Sequence, residues 1–315
     1  MNKVNIRISV VIPAYNEEKY IEKCLSTLLE SDYPKDEYEI IVIDNGSTDR
    51  SVEIARKYTG NVFILPNENV GAVRNLGAAN AHGEILAFLD SDCLIGNSWL
   101  KDGAKLIKHD QSSVFGGNLF LRENPTWLEK YWILQNPLTN NLQQDLLGSC
   151  VFIQKKHFFA AGGFNTKMTS GEDSDFTRKI RGINLKIKIN PTIGVVHLGY
   201  PTTITDFTTR QIWHSENYLQ QYINSIKDIT FWLSFLFSIS ILTLLLALPT
   251  NKTATTISSI AIITIPAIFS AKRISRANFY KSINLTNIMN IYFLDFLYIL
   301  GRSIGIAKSS LKFFK

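Results

Sequence analysis

Four short apolar runs, the first three each followed by a helical pattern and the fourth running out into two carboxylates, constrain the fold of this 315-residue chain most strongly. Ile8 to Ile12 reads as a strand closed by Pro13, which cannot donate to a ladder. Asn16 is the predicted N-cap of a first helix, with Glu17 and Glu18 in its first turn and Ile21, Leu25, Leu28 and Leu29 at helical spacing. Tyr33-Pro34 breaks that helix. Glu39 to Ile43 is a second strand ending on Asp44, and Ser47, Thr48 and Asp49 can cap a helix through about Tyr58. Val62 to Leu65, Gly71 to Ala81 and Glu84 to Leu89 then repeat the pattern as strand, helix and strand. This alternation predicts an α/β fold of Rossmann-like type, with a mostly parallel sheet and ligands at the C-terminal ends of its strands.

The fourth strand runs out into Asp90-Ser91-Asp92. In extended chain, side chains two apart point the same way, so Asp90 and Asp92 are expected to project together. Carboxylates that close repel unless a cation lies between them, and hard oxygen ligands suit Mg²⁺ or Mn²⁺. An ordinary turn is the alternative reading of the same three residues. No Gly-x-Gly-x-x-Gly follows the first strand and no Walker lysine follows any strand, which weighs against a dinucleotide dehydrogenase or an ATPase. Asp44 could accept from a base N–H or a ribose hydroxyl, and Arg74 could meet a phosphate or a base edge. Taken singly, Asp44 reads as a turn residue and Arg74 as a solvated helix charge.

Charge and hydropathy divide the chain. Residues 1–100 hold 9 Lys+Arg against 15 Asp+Glu, whereas residues 271–315 hold 8 against Asp295 alone. That basic excess lies beside apolar segments and points to membrane phosphates; no nucleic-acid-binding signature accompanies it. Ile229 to Leu248 carries no charge, and a helix of twenty residues spans about 30 Å, the thickness of the hydrocarbon core. Residues 253–271 form a second uncharged stretch. A hairpin with both ends cytoplasmic puts Lys252 outside and Lys272, Arg273, Arg276 and Lys281 inside. Residues 286–307 are apolar apart from Asp295 and Arg302, which are two turns apart on one face. With Lys308, Lys312 and Lys315 following, this segment reads as an in-plane interfacial helix, a third crossing being the alternative. The expected organisation is thus a domain over residues 1–225 and membrane-anchoring helices over 226–315. Cys24, Cys93 and Cys150 show no metal-ligand spacing, which suggests buried thiols in a reducing compartment. Met1 to Ile8 is short, polar and followed at once by a strand, so no signal peptide is expected.

Several stretches in order carry a family resemblance. Ser9-Val10-Val11-Ile12-Pro13-Ala14-Tyr15-Asn16-Glu17, Ile41-Val42-Ile43-Asp44-Asn45-Gly46-Ser47-Thr48-Asp49, Gly71-Ala72-Val73-Arg74-Asn75 and Asp90-Ser91-Asp92 together resemble the family 2 glycosyltransferases with the GT-A nucleotide-diphospho-sugar transferase fold. The resemblance covers roughly Ile8 to Tyr218. It implies that Pro13, Ala14, Tyr15, Asn16, Glu17, Asp44, Arg74, Asp90 and Ser91 bind the nucleotide sugar and that Asp90 and Asp92 hold Mg²⁺ or Mn²⁺. In Gly171-Glu172-Asp173-Ser174-Asp175 it implies a Glu172-Asp173 pair facing the acceptor, with Asp173 as catalytic base; acids stabilising a helix N-terminus are the plain alternative. Asp175 reads as structural. His197, at the end of a short strand, could complete the metal's ligands or touch a phosphate. Arg210-Gln211-Ile212-Trp213 departs in order from the Gln-x-x-Arg-Trp motif of processive members, so transfer of a single sugar is expected. The resemblance therefore implies an inverting transferase at the cell membrane, its catalytic domain in the cytoplasm. It would move a sugar from a nucleotide-diphosphate donor, UDP-linked, to a polyprenyl-linked saccharide or glycolipid. A catalytically idle nucleotide-binding or docking subunit of a membrane glycan-assembly complex is the competing class. The intact Asp90, Asp92, Glu172 and Asp173 argue against it.

Overall fold

The computed structural model describes residues 7–134, 145–168, 170–216, 218–219, 225–248, 250–277 and 284–313. Two compact units divide the chain, one of Met1–Glu123 with Asn140–Gly199 and one of Asn124–Thr139 with Tyr200–Lys315.

In the first unit, β1 (Ile8–Ala14), α1 (Ile21–Leu29), β2 (Tyr38–Asp44), α2 (Ser51–Tyr58), β3 (Val62–Ile64), α3 (Val70–Asn80) and β4 (Ile85–Leu89) reproduce the alternation read from the sequence. The chain continues through β5 (Cys93–Leu94), α4 (Trp99–His109), β6 (Ser113–Gly116) and β7 (Leu119–Phe120). The strands β1 to β4 lie parallel, in the order β3-β2-β1-β4. Next to β4 comes β8 (Cys150–Gln154), antiparallel to both β4 and β6, and β9 (Lys186–Ile189) closes the seven-stranded sheet parallel to β6. A three-stranded sheet pairs β10 (Val195–His197) with β5 on one side and β7 on the other.

Period-two alternation buries both faces of the large sheet. Val10 and Ile12 of β1 pack in one core with Leu25 and Trp99, while Val11 lies in another with Ile41, Ile43 and Phe88. Phe88 is fully buried, its ring centroid 5.2 Å from that of Phe158 and 5.3 Å from that of Phe164. The ends of the first elements differ from expectation: β1 runs on through Pro13 to Ala14, and Arg50 rather than Ser47, Thr48 or Asp49 directly precedes α2. The first helix starts at Ile21, and Asn16 is not its cap. Asn16 takes a positive φ of 55° instead, and its Oδ1 accepts from the Thr48 N–H at 2.9 Å. The Asn16 and Glu17 N–H groups donate to Ser47 Oγ and Ser51 Oγ at 2.8 and 2.7 Å. The loop after β1 is thus tied to the loop after β2, and its polar groups are satisfied without a helical turn.

The first unit also contains α6 (Lys155–Ala160) and α7 (Glu172–Gly182). The second is helical: α5 (Trp127–Ile133), α8 (Ile204–Ser215), α9 (Ile229–Ala247), α10 (Lys252–Arg276) and α11 (Leu285–Phe313). Both α9 and α10 are long and apolar enough to cross a membrane. Phe237, Phe269, Leu294 and Ile299 share the core of this unit with Leu128 and Tyr131 of α5. On α11, Asp295 and Arg302 have separate protein partners rather than forming one outward polar face. Asp295 is fully buried and accepts from Arg273 of α10 and, at 2.7 Å, from Ser270 Oγ. Arg302 donates to the Tyr218 hydroxyl at 2.9 Å. Gly301 lets α11 approach α8 closely, since a Cβ there would lie 2.9 Å from Gln211 Cβ. Lys281 and Lys315 lie outside the described residues.

Candidate active site

Four loops at one end of the large sheet bring the candidate residues together. Asp44, the last residue of β2, is buried and bound up in its own turn: Oδ2 accepts from the N–H groups of Gly46 and Ser47 at 2.9 and 2.8 Å, and Oδ1 accepts from Ser47 Oγ. Its carboxylate shapes the loop that holds Asn16. Tyr15 follows the end of β1 and is 57% exposed.

After Leu89 the chain turns at once. The Cys93 N–H donates to the Asp90 carbonyl at 3.1 Å, closing a four-residue turn with Ser91 and Asp92 at its centre. The extended alternation expected for 90–92 is therefore absent, and the two carboxylates part. Asp90 Oδ1 accepts from Arg74 Nη2 at 2.7 Å, whereas Asp92 Oδ2 lies 3.4 Å from His197 Nε2. Antiparallel pairing of β10 with β5 sets His197 opposite Cys93, and the Leu198 N–H donates to the Asp92 carbonyl at 2.8 Å. Gly199 follows, at a position where any Cβ would strike the Asp92 carboxylate.

Arg74 is the hub of the other side. Its guanidinium, 3% exposed, also donates through Nη1 to Glu172 Oε1 at 3.0 Å and lies 3.7 Å from Asp173 Oδ1. Burial alone would disfavour its charge, but Asp90, Asp173 and Glu172 outweigh that and hold it protonated more firmly than a free arginine. Glu172 and Asp173 open α7 behind Gly171, whose φ is 83°. The Asp173 pKa is pushed up to about 6, first by burial and then against the pull of Arg74 with the help of Glu172. Asp173 Oδ1 is buried without a hydrogen-bond partner, while the side chain as a whole is still 29% exposed. Gly148 closes this cluster, since a Cβ there would lie 2.6 Å from both Arg74 Cζ and Asp173 Oδ1. Asp175 pairs with Arg178 and Lys179 on its own helix.

Asp92, Cys93 and His197 present ligand atoms within 4.8 Å of one another. Burial and the neighbouring Asp90 and Asp92 push the Cys93 thiol far up, so it stays protonated and soft. A carboxylate oxygen and an imidazole nitrogen 3.4 Å apart suit a divalent cation of the Mg²⁺ or Mn²⁺ kind. Asp90, anchored to Arg74, stands outside that group. The importance of Gly148 and Gly199 is not legible in the sequence, because it arises only from side chains that approach from distant segments.

The mostly parallel sheet with acids at its strand ends, and the later helix opened by paired acids, have the architecture of the GT-A fold. Residues 9–161 match the model of Glycosyl transferase family 2. That segment, just under half of the chain, is a glycosyltransferase family 2 domain. The matched residues include Asn16, Asp44, Arg74, Asp90 and Asp92 but end before Glu172, Asp173 and His197. The chain is similar to the glycosyltransferase AglE of Haloferax volcanii, 34% identical over 183 residues that cover 55% of this chain and 60% of the relative. It is also similar to a Methanococcus voltae dolichyl N-acetyl-α-D-glucosaminyl phosphate 3-β-D-2,3-diacetamido-2,3-dideoxy-β-D-glucuronosyltransferase, 28% identical over 215 residues that cover 59% of this chain and 65% of the relative. The matched segment thus spans about 60% of these relatives' length. Among solved structures, the mannosyltransferase PcManGT from Pyrobaculum calidifontis, in complex with GDP-Man and Mn²⁺, shares the fold at a TM-score of 0.58 and 18% identity, over 96% of this chain and 87% of that one.

Proposed function

We propose that the chain is a membrane-anchored, inverting glycosyltransferase that moves one sugar from a nucleotide-diphosphate donor to a lipid-linked acceptor. Arg74 is the observation that carries this reading. Its buried guanidinium joins the first acid of the 90–92 turn to the Glu172-Asp173 pair, so donor-side and acceptor-side carboxylates share one centre. Tyr15 offers a ring face to the base, and Asp44 and Asn16 fix the loops around it. Asp92 and His197 would hold Mg²⁺ or Mn²⁺, which when bound neutralises the leaving diphosphate. Asp173, part-exposed beside Arg74, takes the proton of the acceptor hydroxyl, its raised pKa matching it to that task. Glu172 is a positioning residue, since its oxygen holds Arg74 in place. A base on the acceptor side implies displacement in line, turning an α-linked donor into a β-linked product.

An acceptor in the bilayer is favoured by the two apolar helices and by the dolichyl-linked substrate in the Methanococcus relative's name. Confining enzyme and acceptor to one surface raises their encounter rate. The basic end of α10, with Lys272 and Arg276 exposed, is assigned to the cytoplasmic side, which puts the catalytic unit there. UDP is the proposed donor nucleotide, and GDP belongs in the same panel because the PcManGT complex contains GDP-Man. The test is turnover of UDP- and GDP-sugars by the purified full chain with membrane lipid extract as acceptor, with and without EDTA. Transfer that EDTA stops is expected. Absence of turnover with every donor overturns the enzyme reading, and turnover indifferent to EDTA overturns the metal.

A further inference from the structure

The end of the large sheet opposite the catalytic loops carries a groove of about 1090 Å³, lined where β1 and β4 begin and β8 ends. The five residues of β4 separate it from the 90–92 turn by about 17 Å. Its lining holds six Lys and Arg residues against three Asp and Glu, in a unit whose first 100 residues are net acidic. Lys101, Lys105 and Lys108 lie at i, i+4 and i+7 along α4 and form one stripe facing the groove, and Lys156 stands on α6. Some of these charges are already engaged: Arg7 pairs with Glu37 and Lys101 with Asp32, both at 3.5 Å. Lys105, Lys108 and Lys156 are exposed and have no carboxylate partner among the described residues. Phe159 presents a ring 49% exposed on the same wall.

Three unneutralised ammonium groups around one cavity repel one another, an arrangement that an anion relieves. The cavity is concave and of small-molecule size, which favours a compact ligand over a flat macromolecular face. Lys155 Nζ lies over one face of the Phe159 ring, 6.0 Å from its centroid, and the exposed remainder adds a surface on which a flat heterocycle can stack beside the cations. We propose that this groove is a second binding site, separate from the donor site, for a soluble nucleoside polyphosphate. Its phosphates would meet Lys105, Lys108 and Lys156 and its base would lie on Phe159.

The test uses the purified full chain in detergent and a fluorescent N-methylanthraniloyl ATP as probe, titrated in EDTA to disable diphosphate binding beside Asp92. Saturable binding is expected. The combined Lys105→Glu, Lys108→Glu and Lys156→Glu variant should weaken it about tenfold or more, since each exposed charge contact contributes only modestly. Asp92→Ala should leave it unchanged. The corresponding triple Lys→Gln variant, neutral and on exposed positions, should show the same direction if the charge reversal fails to fold. No saturable binding at millimolar probe, binding indifferent to both triple variants, or binding lost in Asp92→Ala would each overturn the proposal. Nucleotide-sugar turnover of the triple variants, measured alongside, is expected to match the unmodified chain and is read independently of probe binding.

Discussion

One guanidinium touching three carboxylates makes the site's behaviour testable residue by residue. Asp173→Asn keeps the shape of the carboxylate but cannot accept the proton, so kcat should fall by about 10²–10⁴ while the donor KM stays within a few-fold. A carboxyl with its pKa raised to about 6 is ionised above that pH and protonated below it, so kcat/KM should drop on the acid side of about pH 6. That limb should vanish in Asp173→Asn. Arg74 pulls the Asp173 pKa down, and a lysine cannot reach Asp90 and Glu172 at once, so Arg74→Lys should move the limb to higher pH. A limb that stays in place would limit Arg74 to packing. Asp92→Ala should abolish turnover with an unchanged circular dichroism spectrum; a variant as active as the unmodified chain would remove Asp92 from the metal site. Asp44, Asp90 and Asp92 are legible as strand-end acids because turn chemistry is local. Their partners are not: Arg74 and Glu172 are 98 residues apart, and nothing in spacing announces that they meet.

At the scale of elements, β4 supports the 90–92 turn through Phe88, packed between Phe158 and Phe164. Phe88→Ala should cost about 3–5 kcal/mol in denaturant unfolding, since the neighbouring rings cannot collapse fully into the space. The parallel strands and α3 are legible from periodicity, and α9 and α10 from uninterrupted hydropathy. For α11 the helical wheel finds Asp295 and Arg302 on one side but cannot say what that side meets. The answer is Arg273, which pairs with Asp295 and also donates to the Trp132 carbonyl. Removing one partner strands the other in an apolar surround, whereas replacing both does not. Asp295→Ala should therefore lower the thermal midpoint strongly, and Asp295→Leu with Arg273→Met should recover most of the loss. Equal losses in the single and double variants would show that the pair's packing, not its charge, matters.

For the whole molecule, Cys24, Cys93 and Cys150 are buried, so single cysteines placed at Lys252 and Arg276 can report topology against a low background. Position 252 should react with an impermeant reagent in intact cells and position 276 only after permeabilisation; equal protection of both would mean that α9 and α10 lie along the surface. The division into units has a consequence in time as well. The stretch bearing α5 belongs with the C-terminal helices, yet it is synthesised in the middle of the other unit. Ile133 leaves the ribosome 71 residues before α8 begins and 152 before α11. At about 5–20 residues per second, α5 waits on the order of ten seconds for its partners. During that interval Leu128 and Tyr131, buried in the finished protein, have nothing to cover them. A chain stopped at residue 225 would have α8 but never α9 to α11, and its tendency to aggregate should fall when Leu128 and Tyr131 are made polar.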